Sequence, residues 1–215
     1  MEIHITKSGD KTIYIPSLDE TYHSRNGAIS ESNHVFIQHG INRTKGDINI
    51  LEIGFGTGLN ALLAAQESKK QNRKIFYHTL EPIPVPNHLL EQLNYYQTIE
   101  GKGLFKKIHE VKWESIEQVT DNFTIHKTEK KLEYVSLGDA QYDVVFFDAF
   151  APKKQPELWD STIFNKLFKS VRQNGILTTY SAAGKLKRHL KSAGFLLENP
   201  HGANGKREMS VAIKK

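Results

Sequence analysis

An α/β fold, with a mostly parallel sheet covered by helices on both faces and an antiparallel strand at its C-terminal end, is what this sequence predicts. The first observation behind it is the run Asn49-Ile50-Leu51-Glu52-Ile53-Gly54-Phe55-Gly56-Thr57-Gly58-Leu59-Asn60 followed by Ala61-Leu62-Leu63-Ala64-Ala65. It reads as a buried strand, a tight glycine turn and the start of a helix. The second is that apolar strand-like runs then alternate with helix-period segments to the end of the chain, joined by short connections. The third is that acids fall where strands stop, at Glu81, Glu114 and Asp148.

From residue 48 the elements follow in order. Ile48 to Ile53 is the first strand, and a helix from Gly58 to about Ser68 carries Leu59, Leu62, Leu63 and Gln66 at helical spacing. Lys74 to Glu81 is the second strand, ended by Pro82 and Pro84, which cannot donate to a ladder. Leu89, Leu90, Leu93 and Tyr96 mark a second helix. Ile108 to Trp113 is read as strand three and Tyr142 to Asp148 as strand four. A helix from about Trp159 to Val171 leads to strand five, Gly175 to Tyr180; a last helix, Ala182 to Ala193, precedes an antiparallel pair at 195–198 and 209–213. Residues 121–141 interrupt this alternation, and Phe123 to Lys127 with Lys131 to Val135 are read as an inserted hairpin. Residues 1–47, with a short hairpin at Ile3, Ile5 and Thr12 to Ile15, are read as an N-terminal cap on a main domain of 48–215. The polar stretch from Asp19 to Ile37 within it suits either a lid or substrate wall or a solvated extension.

With 38% hydrophobic and 25% charged residues among 215, the chain suits one soluble domain. No apolar run approaches the roughly 20 residues of a membrane span, and Met1-Glu2-Ile3-His4 lacks a signal-peptide start, so a cytoplasmic location is expected. The absence of cysteine excludes disulfides, thiolate metal sites and thiol nucleophiles. The histidines form no HxH or HExxH pattern, so no metal is expected, and Ser181 lies outside a GxSxG elbow, which disfavours a hydrolase. A net charge of +5 and a pI near 9.2 make a polyanionic partner reasonable.

Glycines 54, 56 and 58 let a ligand sit on the main chain. A carboxylate at Glu52, just before the turn, meets a cationic ligand well and a pyrophosphate badly, and Ala61 stands where a dinucleotide fingerprint has its third glycine. Both points favour S-adenosylmethionine over a nicotinamide dinucleotide. In such sheets ligands sit beyond the carboxyl ends of the strands. Glu52, Gly54, Phe55, Gly56, Thr57, Gly58 and Asn60 are therefore candidates for holding the cofactor, with Glu81 on the ribose hydroxyls and Glu114 near the adenine. Asp148 is the candidate catalytic residue. When a neutral amine attacks a sulfonium methyl, positive charge moves from sulfur to nitrogen, and a carboxylate beside that nitrogen stabilises it and helps remove the proton. Phe150, in the apolar loop after Asp148, offers a ring against a base or a cationic methyl group.

With these residues in view, the chain resembles the methyltransferase domain of the bacterial enzymes that make 5-methylaminomethyl-2-thiouridine at the tRNA wobble position, the MnmC and MnmD type. The matching pieces are the glycine-turn run from Leu51 to Asn60, Phe147-Asp148-Ala149-Phe150-Ala151-Pro152-Lys153-Lys154-Gln155-Pro156 with Trp159, Thr179 to Gly184, and Lys206-Arg207-Glu208-Met209. The Tyr22 to Gly40 stretch matches more loosely. The resemblance implies a Rossmann-like class I S-adenosylmethionine-dependent methyltransferase that N-methylates the aminomethyl group of uridine 34 in the tRNA anticodon stem-loop. It implies Asp148 as the active-site aspartate and Glu81 as the ribose acid, and leaves Tyr22, Glu31, Phe150, Lys154, Lys206 and Arg207 as candidate substrate contacts. Ala149 departs from a glycine common there, and no FAD-dependent oxidase domain is expected in 215 residues. Methylation of a small-molecule amine and RNA binding with a vestigial cofactor turn are the alternatives.

Overall fold

A computed structural model describes residues 1–98 and 101–215. The chain begins with a small antiparallel sheet of β1 (Glu2–Ile5), β2 (Lys11–Ile15) and β3 (Glu20–Thr21). A short helix α1 (Ala28–Ser32) and a π-helical turn (Asn33–Gln38) follow. Asp10 fastens the sheet to this helix: its Oδ2 accepts from the Ala28 N–H at 3.1 Å and from the Ser8 hydroxyl at 2.8 Å.

The main body alternates β4 (Ile48–Ile53), α2 (Leu59–Lys70), β5 (Ile75–Leu80), α3 (Asn87–Leu90), α4 (Tyr95–Thr98), α5 (Lys102–Glu110), β6 (Ile116–Thr120) and β7 (Phe123–Thr128). It continues with β8 (Tyr142–Phe147), α6 (Ser161–Ser170), β9 (Val171–Thr179), α7 (Gly184–Ala193), β10 (Leu196–Glu198) and β11 (Ser210–Ile213). The strands form one eight-stranded sheet in the order β10-β11-β9-β8-β4-β5-β7-β6. β9, β8, β4, β5 and β7 run parallel, and β11, β10 and β6 are antiparallel to their neighbours. This is the mixed α/β, mostly parallel architecture expected.

Each face of the sheet buries its own core. Ile48, Ile50, Tyr77, Val144 and Phe146 pack with α2, α5 and the π-helical turn, while Leu51, Ile53, Val145, Phe147 and Leu177 pack with α6 and α7. Burial on both faces explains why the central strands read as continuous apolar runs rather than as alternation. Asp160 caps α6, accepting from the Thr162 N–H at 3.0 Å. Gly194, at φ 108°, ends α7 in the left-handed conformation that glycine takes without strain.

Three expectations fail here, the first two together. Ile108 does not begin a strand but lies in the last turn of α5, where Phe105 and Ile108 bury one side of a helix whose other side carries Lys102, Lys106 and Lys107. Spacing of three, not two, governs that segment. The third parallel strand is instead Phe123–Thr128, with Phe123, Ile125 and Lys127 buried, paired parallel to β5 and antiparallel to β6. The expected inserted hairpin therefore does not exist as such: its first arm is a sheet strand, and Leu132–Tyr134 in its second arm forms a single 3-10 turn. Buried Lys127 is satisfied by the free carbonyls at the end of α5, donating to Ile108 O at 3.1 Å and His109 O at 3.0 Å. The expected helix through Leu89 and Tyr96 is split into α3 and α4.

Three histidines are enclosed in this body or against it. Burial lowers His23, His78 and His109 to about 4. His78 bonds Tyr142 Oη through Nδ1 at 2.7 Å and Thr128 Oγ1 through Nε2 at 3.1 Å. A histidine held below its unfolded value stabilises the fold above that value and loses the contribution as pH falls toward the folded one. The contribution of His78 should therefore fade between about pH 6.5 and pH 4, so the difference in denaturant midpoint between wild type and His78→Gln should shift against the wild type over that range in paired chemical-denaturation series.

Candidate active site

The site follows from the pairing of β4 with β8. Their parallel register sets Ile53 opposite Phe147, so both chains leave the sheet at the same level, and the Asp148 N–H donates to Ile53 O at 3.0 Å. This is also where the strand order reverses: β5 and β7 lie to one side, β9 and β11 to the other. Such a switch point opens a crevice between the loops. Gly54, at φ 92°, takes the first step of the turn with the Asp148 carbonyl against it; a Cβ there would stand 2.8 Å from that oxygen. Only a glycine lets the two strand ends approach so closely.

A cavity of about 330 Å³ opens over this point, within the range of small-molecule sites. Its floor is Gly54, Phe55, Gly56 and Asp148; Glu81 and Leu132 flank one end, Phe150 and Tyr180 the other, and Tyr22 comes from the N-terminal segment. Tyr22 lies on the glycine turn, since a Cβ on Gly56 would meet its ring at 2.8 Å. The Tyr22 and Phe150 rings stand edge to face, 5.1 Å between centroids. His23 Nε2 bonds Thr57 Oγ1 at 2.6 Å, fixing this segment to the turn.

Glu81 ends β5 at the cavity. Its Oε2 accepts from the Gly56 N–H and its Oε1 from the Ile83 N–H, both at 3.0 Å, and burial raises its pKa. Each oxygen keeps further acceptor capacity. Asp148 opens on the cavity with Oδ2 accepting from Asn60 Nδ2 at 2.8 Å. Desolvation pushes it up to about 7, against the opposing effect of Asn60. The loop after it is braced: Gln155 Oε1 accepts from the Phe150 N–H at 3.0 Å, Trp159 Nε1 donates to Phe150 O at 2.8 Å, and Tyr180 Oη donates to Ala149 O at 2.9 Å. Lys206 pairs with Glu31 at the rim and lies over the Tyr180 ring, 5.4 Å from its centre.

Of the residues singled out from sequence, Gly54, Phe55, Gly56, Glu81, Asp148, Tyr22, Glu31, Phe150 and Lys206 line one cavity. Several others do not. Glu52 is fully enclosed beneath the turn, where Thr79 Oγ1 donates to it at 2.7 Å, and desolvation raises it to about 8. Its carboxyl does not reach the cavity, so the preference for a cationic ligand expected of it has no geometric basis. Asn60, Thr57 and Gly58 are likewise buried behind the wall. Glu114, at φ 62°, faces away; its Oε1 accepts from the Glu129 N–H at 2.8 Å and its Oε2 stands 3.8 Å from Lys130 Nζ. Misplacing strand three moved the expected adenine wall to Glu114, whereas the loop after β7, Lys130 to Glu133, is what lines the cavity. Lys154 sits in a turn off the wall, its N–H donating to Ala151 O at 2.7 Å, and Arg207 borders a separate shallow depression with Ala182 and Glu208. Tyr180 and His23 were missed. Tyr180 was within reach of the strand-end rule, as it follows β9; His23 was not, because nothing in a loop sequence announces what it folds over.

A family model for S-adenosyl-L-methionine-dependent methyltransferases matches residues 96–215. The chain belongs to this family. Over 95% of its length it is 29% identical to the tRNA 5-methylaminomethyl-2-thiouridine biosynthesis bifunctional protein MnmC of Cupriavidus metallidurans, covering 33% of that protein. The Idiomarina loihiensis protein of the same name is 29% identical over 90% of the chain, of which 35% is covered. The chain thus spans about a third of the length of these relatives. Its fold matches the crystal structure of MnmC2 from Aquifex aeolicus with a TM-score of 0.77 at 23% identity, covering all of this chain and 70% of that one. The family thus supplies the methyl donor that Glu52 does not argue for.

The residues at the floor fit such a donor: a glycine cradle kept clear of side chains, a carboxylate on backbone amides at the end of the adjoining strand, and a carboxyl at the switch point. Gly54→Ala, which combines a positive φ with a backbone collision, should weaken S-adenosylmethionine binding at least tenfold by calorimetry and lower the thermal midpoint by several degrees, a cost of about 1–3 kcal/mol. Wild-type affinity in that variant would show that the turn does not form the cradle.

Proposed function

We propose that this chain is the methyl-transferring unit that acts on the aminomethyl group of wobble uridine 34 (2-thiouridine in the modified form) in tRNA, in the cytoplasm, with the anticodon stem-loop as its macromolecular substrate. The observation that carries the reading is Asp148: a carboxyl at the switch point, held by one neutral donor and open to the cavity beside Phe150 and Tyr22. The relatives' role in tRNA 5-methylaminomethyl-2-thiouridine biosynthesis supports a tRNA substrate.

The backbone of Gly54 to Gly56 would receive the methionine part of the donor, Glu81 the ribose hydroxyls, and Leu132 with its loop the adenine edge. When bound, the donor would supply an electrophilic sulfonium methyl, its sulfur departing with the bonding pair as a neutral thioether. The chain's own work is on the nucleophile. Asp148 accepts an N–H from the neutral amine and orients its lone pair. As the N–C bond forms, its negative charge stabilises the ammonium that develops, an interaction absent from the ground state. The product ammonium then gives its proton to Asp148, from which it passes to solvent. Because Asp148 itself titrates near neutrality, it is matched to exchange that proton. Phe150 and Tyr22 offer ring faces for the uracil, which must leave its stack to enter. Lys206 at the rim, with Lys153, Lys154 and Arg207 outside it, provides phosphate contacts.

The test is to incubate the protein with labelled S-adenosylmethionine and tRNA lacking the terminal methyl, then identify the labelled nucleoside. Asp148→Asn should lower single-turnover methylation about 10²- to 10³-fold with donor affinity within a few-fold of wild type. Label on a free amine but not on tRNA would replace this reading with the small-molecule one, and unchanged turnover in Asp148→Asn would remove the aspartate from the mechanism.

A further inference from the structure

Behind Asp148 lies a second carboxyl that the chemistry above leaves unused. Glu52 projects from β4, one strand away, with 0% exposure. Only its Oε2 is satisfied, by the Thr79 hydroxyl; Oε1 has no hydrogen-bond partner. The Tyr77 hydroxyl of β5 faces the same carboxyl. Asn60, 3% exposed in the first turn of α2, stands between the two acids. Its Nδ2 donates to Asp148 at 2.8 Å and interacts with Glu52 as well, while its Oδ1 is unpartnered.

We infer that Asn60 is the positioning residue of the methyl-transfer site, its amide holding one oxygen of Asp148 so that the other faces the amine, and standing between Asp148 and Glu52. The residue type is what this task requires. A carboxylate in a poorly solvated cavity tends to keep its proton, and a hydrogen bond to its charged form opposes that. A lysine or arginine would supply the same bond with a positive charge that cancels the one the developing ammonium needs. A serine would not span the distance. An aspartate would set two like charges in contact. The remaining charges near Asp148 are Glu31 of α1 and Lys206 of the C-terminal segment, which pair with each other, and the Tyr180 hydroxyl, which is committed to Ala149 O. Asn60 is therefore the one side-chain donor that Asp148 has among the described residues. The second oxygen of Asp148 is left for the substrate.

This rests on Asp148 receiving the amine, so the experiment carries a readout independent of turnover. Carboxyl carbon NMR of the protein without tRNA should show Asp148 titrating about one pH unit or more higher in Asn60→Ala than in wild type. Glu52→Gln should leave the Asp148 titration in place and delete a separate alkaline carboxyl titration. Single-turnover methylation should fall about tenfold to hundredfold in Asn60→Ala, and further in the isosteric Asn60→Asp, with donor affinity by calorimetry within threefold. Should Asn60→Ala not fold, Asn60→Ser gives the same comparison. An unmoved Asp148 titration in these variants, or Asn60→Asp at wild-type activity, would overturn the assignment. A moved titration with no methyl reaching any tRNA would uphold the positioning role and overturn the tRNA reading.

Discussion

Everything at this site depends on the parallel ladder between β4 and β8. That pairing puts Ile53 beside Phe147, and the next residue on each strand, Gly54 and Asp148, at the same height above the sheet. From there the consequences are steric. Because Gly54 has no side chain, the carbonyl of Asp148 closes on it and the aspartate enters the crevice rather than solvent. The glycine turn and the reactive carboxyl are therefore one structure. A side chain at Gly54 would disturb both at once.

The rest of the molecule acts on that point by enclosure. Tyr22 lies on Gly56, His23 is tied to Thr57, and Trp159 and Tyr180 hold the loop after Asp148 by its carbonyls. Each contact removes water from the neighbourhood of a carboxyl. The shared effect is visible in the acids themselves, since Glu81, Asp148 and Glu52 are all pushed upward by burial. The loss of solvation that makes Asp148 near-neutral also makes any charge it carries act strongly at short range.

The sequence made most of this architecture legible, for identifiable reasons. A strand buried on both faces, a turn that only glycine can make and prolines after a strand each leave a local mark, and Ile48 to Glu81 was read with ends off by a residue or two. Ile108 was misread because a six-residue window does not separate a helical stripe from a strand when the neighbours are lysines. That one slip displaced strand three and with it the wall expected at Glu114. Glu52 shows a different limit. Its place before the turn is plain in the sequence, but whether a side chain in a strand faces the ligand or the layer below depends on the pleat and on Thr79 beside it on β5. The covering of the site by Tyr22 and His23 is a long-range contact with no local signature, so composition left that stretch open between a wall and a solvated extension.

The N-terminal segment is stitched to residues 198–206, and one pair of that seam, Glu31 with Lys206, stands at the cavity. Ser30 donates to Asn204 at 2.9 Å, His34 meets His201 O at 2.8 Å, Arg43 bonds Glu198 at 2.7 Å, and Glu31 pairs with Lys206. Contacts across such sequence separations carry the largest loop-closure cost and form late in folding. During synthesis the central strands and the glycine turn emerge well before residues 198–206. The N-terminal segment that carries Tyr22 and Glu31 therefore meets its partners Asn204 and Lys206 only after the glycine turn and Asp148 have been made.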